Sequence, residues 1–293
     1  METSHFTRTA HEQHSKRRYA RRVATLTLLL RIETHNVAVG LPGSRRECVG
    51  PIVVTIAADP EQPIAARLTA LATPADIAAA TARMRALDVP ERFEWIDELL
   101  PAQATAFRDA GFVVRRHPLL VLAQLQPPAE RPGITVERVG PDSSDELAST
   151  AAAVGAIAFA YGAAGDRPAD ITEVELATAL FSRGSELART RASIADDRAT
   201  LWLARLDDAP AATAWTIRHD GAAEIVGVGT VAAYRDRGLA TAVTAHAAAA
   251  ALADGADLVF LTAEDKRSAE LYARLGFEVV ANVCIAERMD ADG

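Results

Sequence analysis

The sequence predicts an α/β protein of the α+β kind, a mixed and mostly antiparallel sheet flanked by helices, in which a smaller half precedes a complete one. Three observations carry this. From Ile134 onward the chain reads strand, two helices, three strands joined by tight turns, helix, strand, helix, strand. The run Val228–Thr241 passes from a strand through a glycine turn into a helix. Finally, Phe107-Arg108-Asp109-Ala110-Gly111-Phe112-Val113-Val114 parallels Tyr272-Ala273-Arg274-Leu275-Gly276-Phe277-Glu278-Val279, with the same four-residue step from aromatic to glycine.

Composition bounds the answer. The chain of 293 residues, 49% of them apolar, holds one large or two medium domains, and with only 5% aromatic residues its cores must be built from Ala, Val and Leu. A net charge of −8 argues against nucleic acid or an anionic membrane as the main partner and suits small cationic or neutral substrates. Residues 1–50 are set apart, with nine Lys/Arg against four acidic residues, and are expected to be a basic, disordered segment. Within them, Lys16–Arg22 followed by Val23–Leu30 looks superficially like a leader. The apolar run is short, though, and Arg31 and Glu33 follow it with no small-residue cleavage pattern. No stretch approaches the ~20 apolar residues of a membrane span. His5, His11, His14 and His35 are scattered there without metal-ligand spacing, and Cys48 and Cys284 form no metal or redox pattern. A reducing, cytoplasmic location is expected, with Cys284 a small core residue.

Residues 51–126 read as the smaller half. Glu61–Leu71 and Ala75–Leu87 are alanine-rich helices, the second introduced by Thr73-Pro74. Phe93–Ile96 is a strand, Pro101–Ala110 a helix, and Phe112–Leu122 alternates like strands broken at His117-Pro118. Residues 127–133, rich in proline, form the linker. Residues 134–289 form the complete domain. Ile134–Val139 is a strand, Ser143–Phe159 and Ile171–Arg189 are helices, and Thr200–Leu206 and Ala211–His219 are strands joined at Asp207-Asp208-Ala209-Pro210. Asp220-Gly221 turns into the strand Ala223–Thr230. Helix Leu239–Ala253, stopped by Gly255, leads to strand Leu258–Thr262.

The turn at Arg235–Thr241 has the makings of an anion site. Successive backbone N–H groups converge at the start of a helix, whose macrodipole adds positive potential. Gly238 permits close approach, Arg235 and Arg237 add charge, and Thr241 offers a hydroxyl. Downstream, Ser268, Leu271, Tyr272 and Leu275 share one helix face, which turns the Tyr272 ring inward. His219 and His246 have no partner at nucleophile or metal spacing, and no nucleophile-elbow, zinc-protease or Walker sequence occurs. A covalent acyl-enzyme and a metal-dependent mechanism are both disfavoured, and no metal is expected.

Together, the R-x-x-G-x-A of Arg235–Ala240 and the L-Y-x-x-x-G-F of Leu271–Phe277 resemble, in order and spacing, the GNAT superfamily of acyl-CoA-dependent N-acyltransferases. The resemblance covers about residues 195–286 and implies acetyl-CoA as donor, with direct transfer to an amine acceptor and no metal. It implies that Arg235, Asp236, Arg237, Gly238, Leu239, Ala240 and Thr241 hold the CoA pyrophosphate. Val228, Gly229 and Thr230 would pair with the pantetheine arm and polarise the thioester carbonyl. Tyr272 would protonate the departing thiolate. Glu224, eleven residues before Arg235, corresponds to the general base of the branch resembling histone acetyltransferases, acting through water. Asp265 stands where many relatives carry Asn and either caps its helix or touches the cofactor. The N-terminal half resembles the degenerate half of tandem members, since Phe107 lacks the tyrosine hydroxyl and no cradle precedes it.

Plain structural uses stand beside each of these: a central strand for Val228–Thr230, a core ring for Tyr272, a surface ion pair for Glu224. Trp202 and Trp215 are expected in the core, with lining of an acceptor pocket as the other use. Asp166, Asp170, Glu173 and Glu175 are expected on a solvated helix face rather than on a cationic acceptor. The alternative in a different class is a non-catalytic acyl-CoA-sensing module. The acceptor is left open among small amines, antibiotics, amino acids, peptide termini and protein lysines.

Overall fold

Left-handed turn residues set the strands of the C-terminal half. In the computed structural model, which describes residues 23–40, 44–56, 65–129, 131–160, 170–195 and 198–288, Asp207 and Asp208 have φ of 48° and 67°, and Asp220 and Gly221 have 46° and 71°. Positive φ at both central residues gives the two-residue turn whose twist matches a hairpin. These turns join β7 (Ala199–Leu206) to β8 (Ala209–His219) and β8 to β9 (Ala222–Thr230). On either side lie β6 (Ile134–Val139), α4 (Asp145–Ala160), α5 (Ile171–Phe181) and α6 (Ser185–Ile194), then α7 (Leu239–Ala253), β10 (Leu258–Thr262), α8 (Lys266–Ala273) and β11 (Phe277–Glu287). The N-terminal half supplies α1 (residues 23–38), β1 (Arg45–Val49), β2 (Ile52–Ile56), β3 (Ala66–Leu68), α2 (Pro74–Ala86), β4 (Arg92–Ile96), α3 (Gln103–Asp109) and β5 (Val113–Leu122).

Among the described residues, eleven strands form one sheet, in the order β1-β2-β3-β4-β11-β5-β10-β9-β8-β7-β6. The order is palindromic about the β11–β5 pair. β1-β2-β3-α2-β4-α3-β5 repeats β7-β8-β9-α7-β10-α8-β11, and even the parallel step recurs, β3 beside β4 (Arg67↔Glu94) and β9 beside β10 (Glu224↔Phe260). The repeat is therefore far longer than the short segment legible in sequence. Each half also gives its last strand to the other, because β5 lies between β11 and β10 while β11 pairs with β4.

Strand alternation sends neighbouring residues to opposite faces. On one face α7 and α8 cover Trp202, Ala204, Ala212, Ala214, Ala223, Ile225, Val259 and Leu261. These small side chains let α7 lie close to the sheet. On the other face α4, α5 and α6 cover Leu201 and Leu203. Beside them α1 covers Leu258, Phe260, Leu119, Ala281 and Val283, using Leu29 and Ile32.

Four expectations are corrected. Residues 23–38 of the basic segment are helical rather than disordered, and Arg45–Val49 is a strand; residues 1–22, with His5, His11 and His14, lie outside the described residues. The helix orders because Leu29 and Ile32 are fully buried, each worth about 1.5–3 kcal/mol of transfer free energy. Ion pairs to both halves add to this, Arg31 with Asp257 and Glu33 with Arg67. Second, the described part of the expected helix 61–71 is strand β3, residues 61–64 lying outside the described residues. Ala66 and Leu68 alternate inward there, so burial overrides alanine's helix propensity. Third, Ile171–Arg189 is two helices, broken where Gly184 takes an extended N-cap conformation (φ −107°, ψ −171°). Fourth, β5 runs unbroken through Pro118, whose missing N–H falls beside the bulge of β11 between Val279 and Ala281. Among the described residues no helix is long and apolar enough to cross a membrane.

If α1 is a structural staple, Ile32→Ala costs about 2–5 kcal/mol of stability in urea denaturation, while Leu30→Ala, at a 57% exposed position of the same helix, stays within about 0.5 kcal/mol of the parent.

Candidate functional site

β9 pairs with β8 along its length but with β10 only at Ala222, Ala223 and Glu224. Beyond Glu224 the two strands part. A bulge sits at this point, opposite Thr213–Trp215, with Gly227 at φ 60°. A Cβ on Gly227 would stand 3.3 Å from Trp215 Cδ1, so glycine is needed there on two counts. Val228, Gly229 and Thr230 thus turn one backbone edge toward a gap rather than toward a strand. Gly229 also seats α4, since a Cβ would lie 2.9 Å from Ala158 Cβ and 3.2 Å from the Phe159 ring.

The gap leads to the start of α7. Gly238 is its N-cap at φ 88°, with no side chain capping the helix. Asp236 is also left-handed, at φ 60°. Among the described residues, no amide from Asp236 through Thr241 donates to a backbone carbonyl or a side chain. Such a row of open donors at a helix N-terminus has the chemistry of an anion cradle. Of the two arginines expected to add charge, Arg235 donates from Nε to the Thr230 carbonyl at 3.3 Å, tying loop to strand. Arg237 lies over the Tyr234 ring, 5.6 Å from its centroid, and Asp236 pairs with Arg267 at 2.8 Å.

One residue at the cradle was missed by the sequence reading. Arg131, from the linker, packs so closely on Gly238 that a Cβ there would meet its Nε at 2.6 Å. With Thr241, His246 and Arg274 it borders a cleft of about 720 Å³. A lone arginine among prolines carries no motif, and only folding brings the linker over α7.

Tyr272 leaves α8 on the buried face, as its spacing predicts, and is 9% exposed. Burial pushes its phenol up to about 12, so it stays protonated as a potential donor. Glu224 points to the opposite face from Ala223 and is 20% exposed. Burial first, then the Glu94 carboxylate, push it up to about 7, with Arg67 opposing. Asp265 caps α8, accepting from the Ser268 amide at 2.8 Å, and that bond holds its carboxyl below the usual range. Trp202 is core, its Nε1 donating to Thr216 Oγ1 at 2.9 Å, whereas Trp215 is half-buried against the bulge. Asp170 and Glu173 form the capping box of α5, and Asp166 lies outside the described residues.

The equivalent positions of the N-terminal half are closed. Thr73 and Asp76 cap α2 reciprocally, and Gln103 bonds both backbone groups of Ala72 at 2.9 and 3.0 Å. Phe107 is buried in a ring cluster, stacked on Trp95 with centroids 5.0 Å apart. No cradle is left there.

Residues 170–277, which hold the splayed strand, the open helix start and Tyr272, match the acetyltransferase (GNAT) family model. This segment is a GNAT domain. No functionally curated protein matches the sequence. A GCN5-related N-acetyltransferase from Kribbella flavida superposes with a TM-score of 0.66 at 24% identity, covering 90% of this chain and 96% of that one. A tandem GNAT protein from the clavulanic acid biosynthesis pathway superposes at 0.53 and 17% identity, with 86% of each chain covered. A functionally unknown conserved protein from Staphylococcus epidermidis gives 0.52 at 15% identity, covering 85% of this chain and 96% of that one. These likenesses extend the fold over both halves, so the palindromic sheet is a tandem arrangement with the GNAT domain second.

The Glu224 carboxyl implies a signed effect on stability. Its pKa rises on folding from an ordinary 4.5 to about 7, so its contribution is full below about 4.5 and lost as pH rises through 7. Glu224→Gln therefore stabilises the protein at pH 8 by on the order of 1–3 kcal/mol in urea denaturation, and the gain shrinks toward zero as pH falls to 5.

Proposed function

We propose that this protein is an acyl-CoA-dependent N-acyltransferase of the cytoplasm that transfers acetyl from acetyl-CoA to an amine acceptor by direct attack. The observation that carries this is the open row of amides from Asp236 to Thr241 beside the unpaired edge of β9. The amides would take the CoA diphosphate, with Arg131 and Arg274 adding charge at the rim. The free edge at Val228–Thr230 would run beside the pantetheine arm, and an N–H at the bulge would polarise the thioester carbonyl.

Glu224 then acts as the base. With a pKa of about 7, it is largely ionised just above neutrality yet basic enough to take a proton, through water, from the acceptor ammonium. The amine attacks the thioester carbon to give an N-protonated tetrahedral adduct; as it collapses the C–S bond breaks, the CoA thiolate takes the Tyr272 proton, and the proton lost from nitrogen restores the phenol through water. Turnover rises with pH through about 7 as Glu224 ionises. Cationic small molecules suit the net charge of −8 and the half-buried carboxylate better than nucleic acid or a membrane surface. A module that only senses acyl-CoA has no use for a base and a proton donor.

Tyr272→Phe should lower kcat on an amine panel by about 10²-fold or more, leaving acetyl-CoA binding in calorimetry unchanged. Unchanged turnover removes the tyrosine from the mechanism, and a parent protein that does not bind acetyl-CoA overturns the whole reading. Arg131→Ala should do the converse, weakening acetyl-CoA binding by roughly 10-fold, an effect that shrinks in high salt, with kcat retained.

A further inference from the structure

The N-terminal helix brings a buried histidine to Glu224. His35 lies in the last turn of α1, is 1% exposed, and closes no hydrogen bond of normal geometry at either ring nitrogen, although the His219 backbone lies near enough to favour its protonated form. Its Nε2 stands 3.8 Å from Oε2 of Glu224. The ring meets Phe260 edge-on at 5.0 Å and His219 at 6.3 Å. Phe260 is the β10 residue paired with Glu224, so His35 rests on the last register before β9 and β10 separate. A buried imidazole without well-formed hydrogen bonds costs stability. The anchoring of α1 is already provided by Leu29, Ile32 and its two ion pairs.

The other charged groups around Glu224 are committed elsewhere. Arg67 on β3 holds Glu33 of α1 through Nε at 3.0 Å and Glu94 of β4 through Nη1 at 3.1 Å. Glu94 repels the Glu224 carboxylate, and His219 of β8 faces His35. Among the described residues His35 alone stands within an ion-pair distance of Glu224. Burial holds its imidazolium form down, to about 4, so the ring is neutral at the pH where Glu224 ionises.

We propose that His35 is a positioning residue for the acceptor side: its Nε2–H turns onto Oε2 of Glu224 as the acceptor enters and aims the carboxylate at the ammonium. Catalytic contacts are commonly long before substrate binds and tighten afterwards. The ammonium proton passes through water to Glu224, and His35 neither gains nor loses one. The N-terminal half thereby completes a site built mainly by the GNAT domain. This rests on the reading of Glu224 as base.

A hydrogen bond to the ionised carboxylate favours that form and lowers its pKa. Removing it raises the pKa. The test measures kcat and kcat/KM against pH, with acetyl-CoA saturating, for the full-length parent, His35→Leu, His35→Asn, His35→Gln and Glu224→Gln, alongside thermal unfolding. Expected for His35→Leu is a roughly 10-fold lower kcat and an acid limb moved up by about 0.5–1 pH unit, with the KM for acetyl-CoA unchanged. His35→Gln, which keeps an N–H at similar reach, restores most of both. His35→Asn, polar but too short, does not, and it serves where the leucine variant fails to fold. Parent-like kcat and acid limb in both the leucine and asparagine variants, with Glu224→Gln inactive, overturn the proposal and leave Glu224 as base. Full turnover in Glu224→Gln removes the base itself, and this proposal with it.

Discussion

The gap between β9 and β10 depends on a strand that belongs to the other half of the chain. β10 pairs with β9 through Leu258, Val259 and Phe260, then with β5 through Phe260, Leu261 and Thr262. The two pairings use opposite edges of β10 and overlap only at Phe260. Its C-terminal end is held in the sheet by Leu119, Leu120 and Val121 along the edge away from β9, so it keeps its place as the edge toward β9 opens. The Ala263 amide continues the pattern onto the Pro118 carbonyl at 2.9 Å. The gap beside Val228–Thr230 thus opens next to a strand whose far edge is held by β5 of the other half, and the two halves cannot be understood apart.

The same accounting of backbone groups separates the C-terminal half from its copy. Both contain a helix after a strand, α7 after β9 and α2 after β3. In α2 the first-turn donors are met by Thr73 and Asp76 within the chain, which stabilises such a helix start by about 1 kcal/mol. In α7 the N-cap is glycine and the donors are left to solvent or ligand. A missing cap at a helix whose loop also contains left-handed Asp236 and Gly238 is stability given up locally. Binding of an anion would recover it.

How far the sequence could be read follows from which of these effects are local. Leu239–Ala253, Leu258–Thr262 and Ile134–Val139 were legible to the residue because periodicity, glycine stops and turn pairs are written in neighbouring positions. The glycine turn into α7 and the inward face of Tyr272 were legible for the same reason. Arg131 and His35 were not, because each reaches the site from a segment distant in sequence and neither belongs to a pattern. The copy was visible only at Phe107–Val114, where the helix-to-strand glycine survives. In the rest of that half equivalent positions carry unlike residues, Arg67 standing where its partner half has Glu224. Strand β3 is not legible because three residues, two of them buried, are too few to show a period against an alanine-rich background.

The N-terminal helix shows why charge counting misled. Its arginines and glutamates suggested a solvated segment, yet Arg31 reaches Asp257 at the start of β10 and Glu33 reaches Arg67 on β3. The charges therefore straddle the two halves while Leu29 and Ile32 fill the space between them. This placement bears on chemistry as well as stability. A carboxylate at the edge of an open sheet is hydrated and titrates near its ordinary value. Glu224 is kept near 7 chiefly because surrounding structure withdraws it from water, and α1 lies directly over its neighbour Phe260. A residue whose position is fixed by the C-terminal half thus takes its basicity from packing that the N-terminal segment completes.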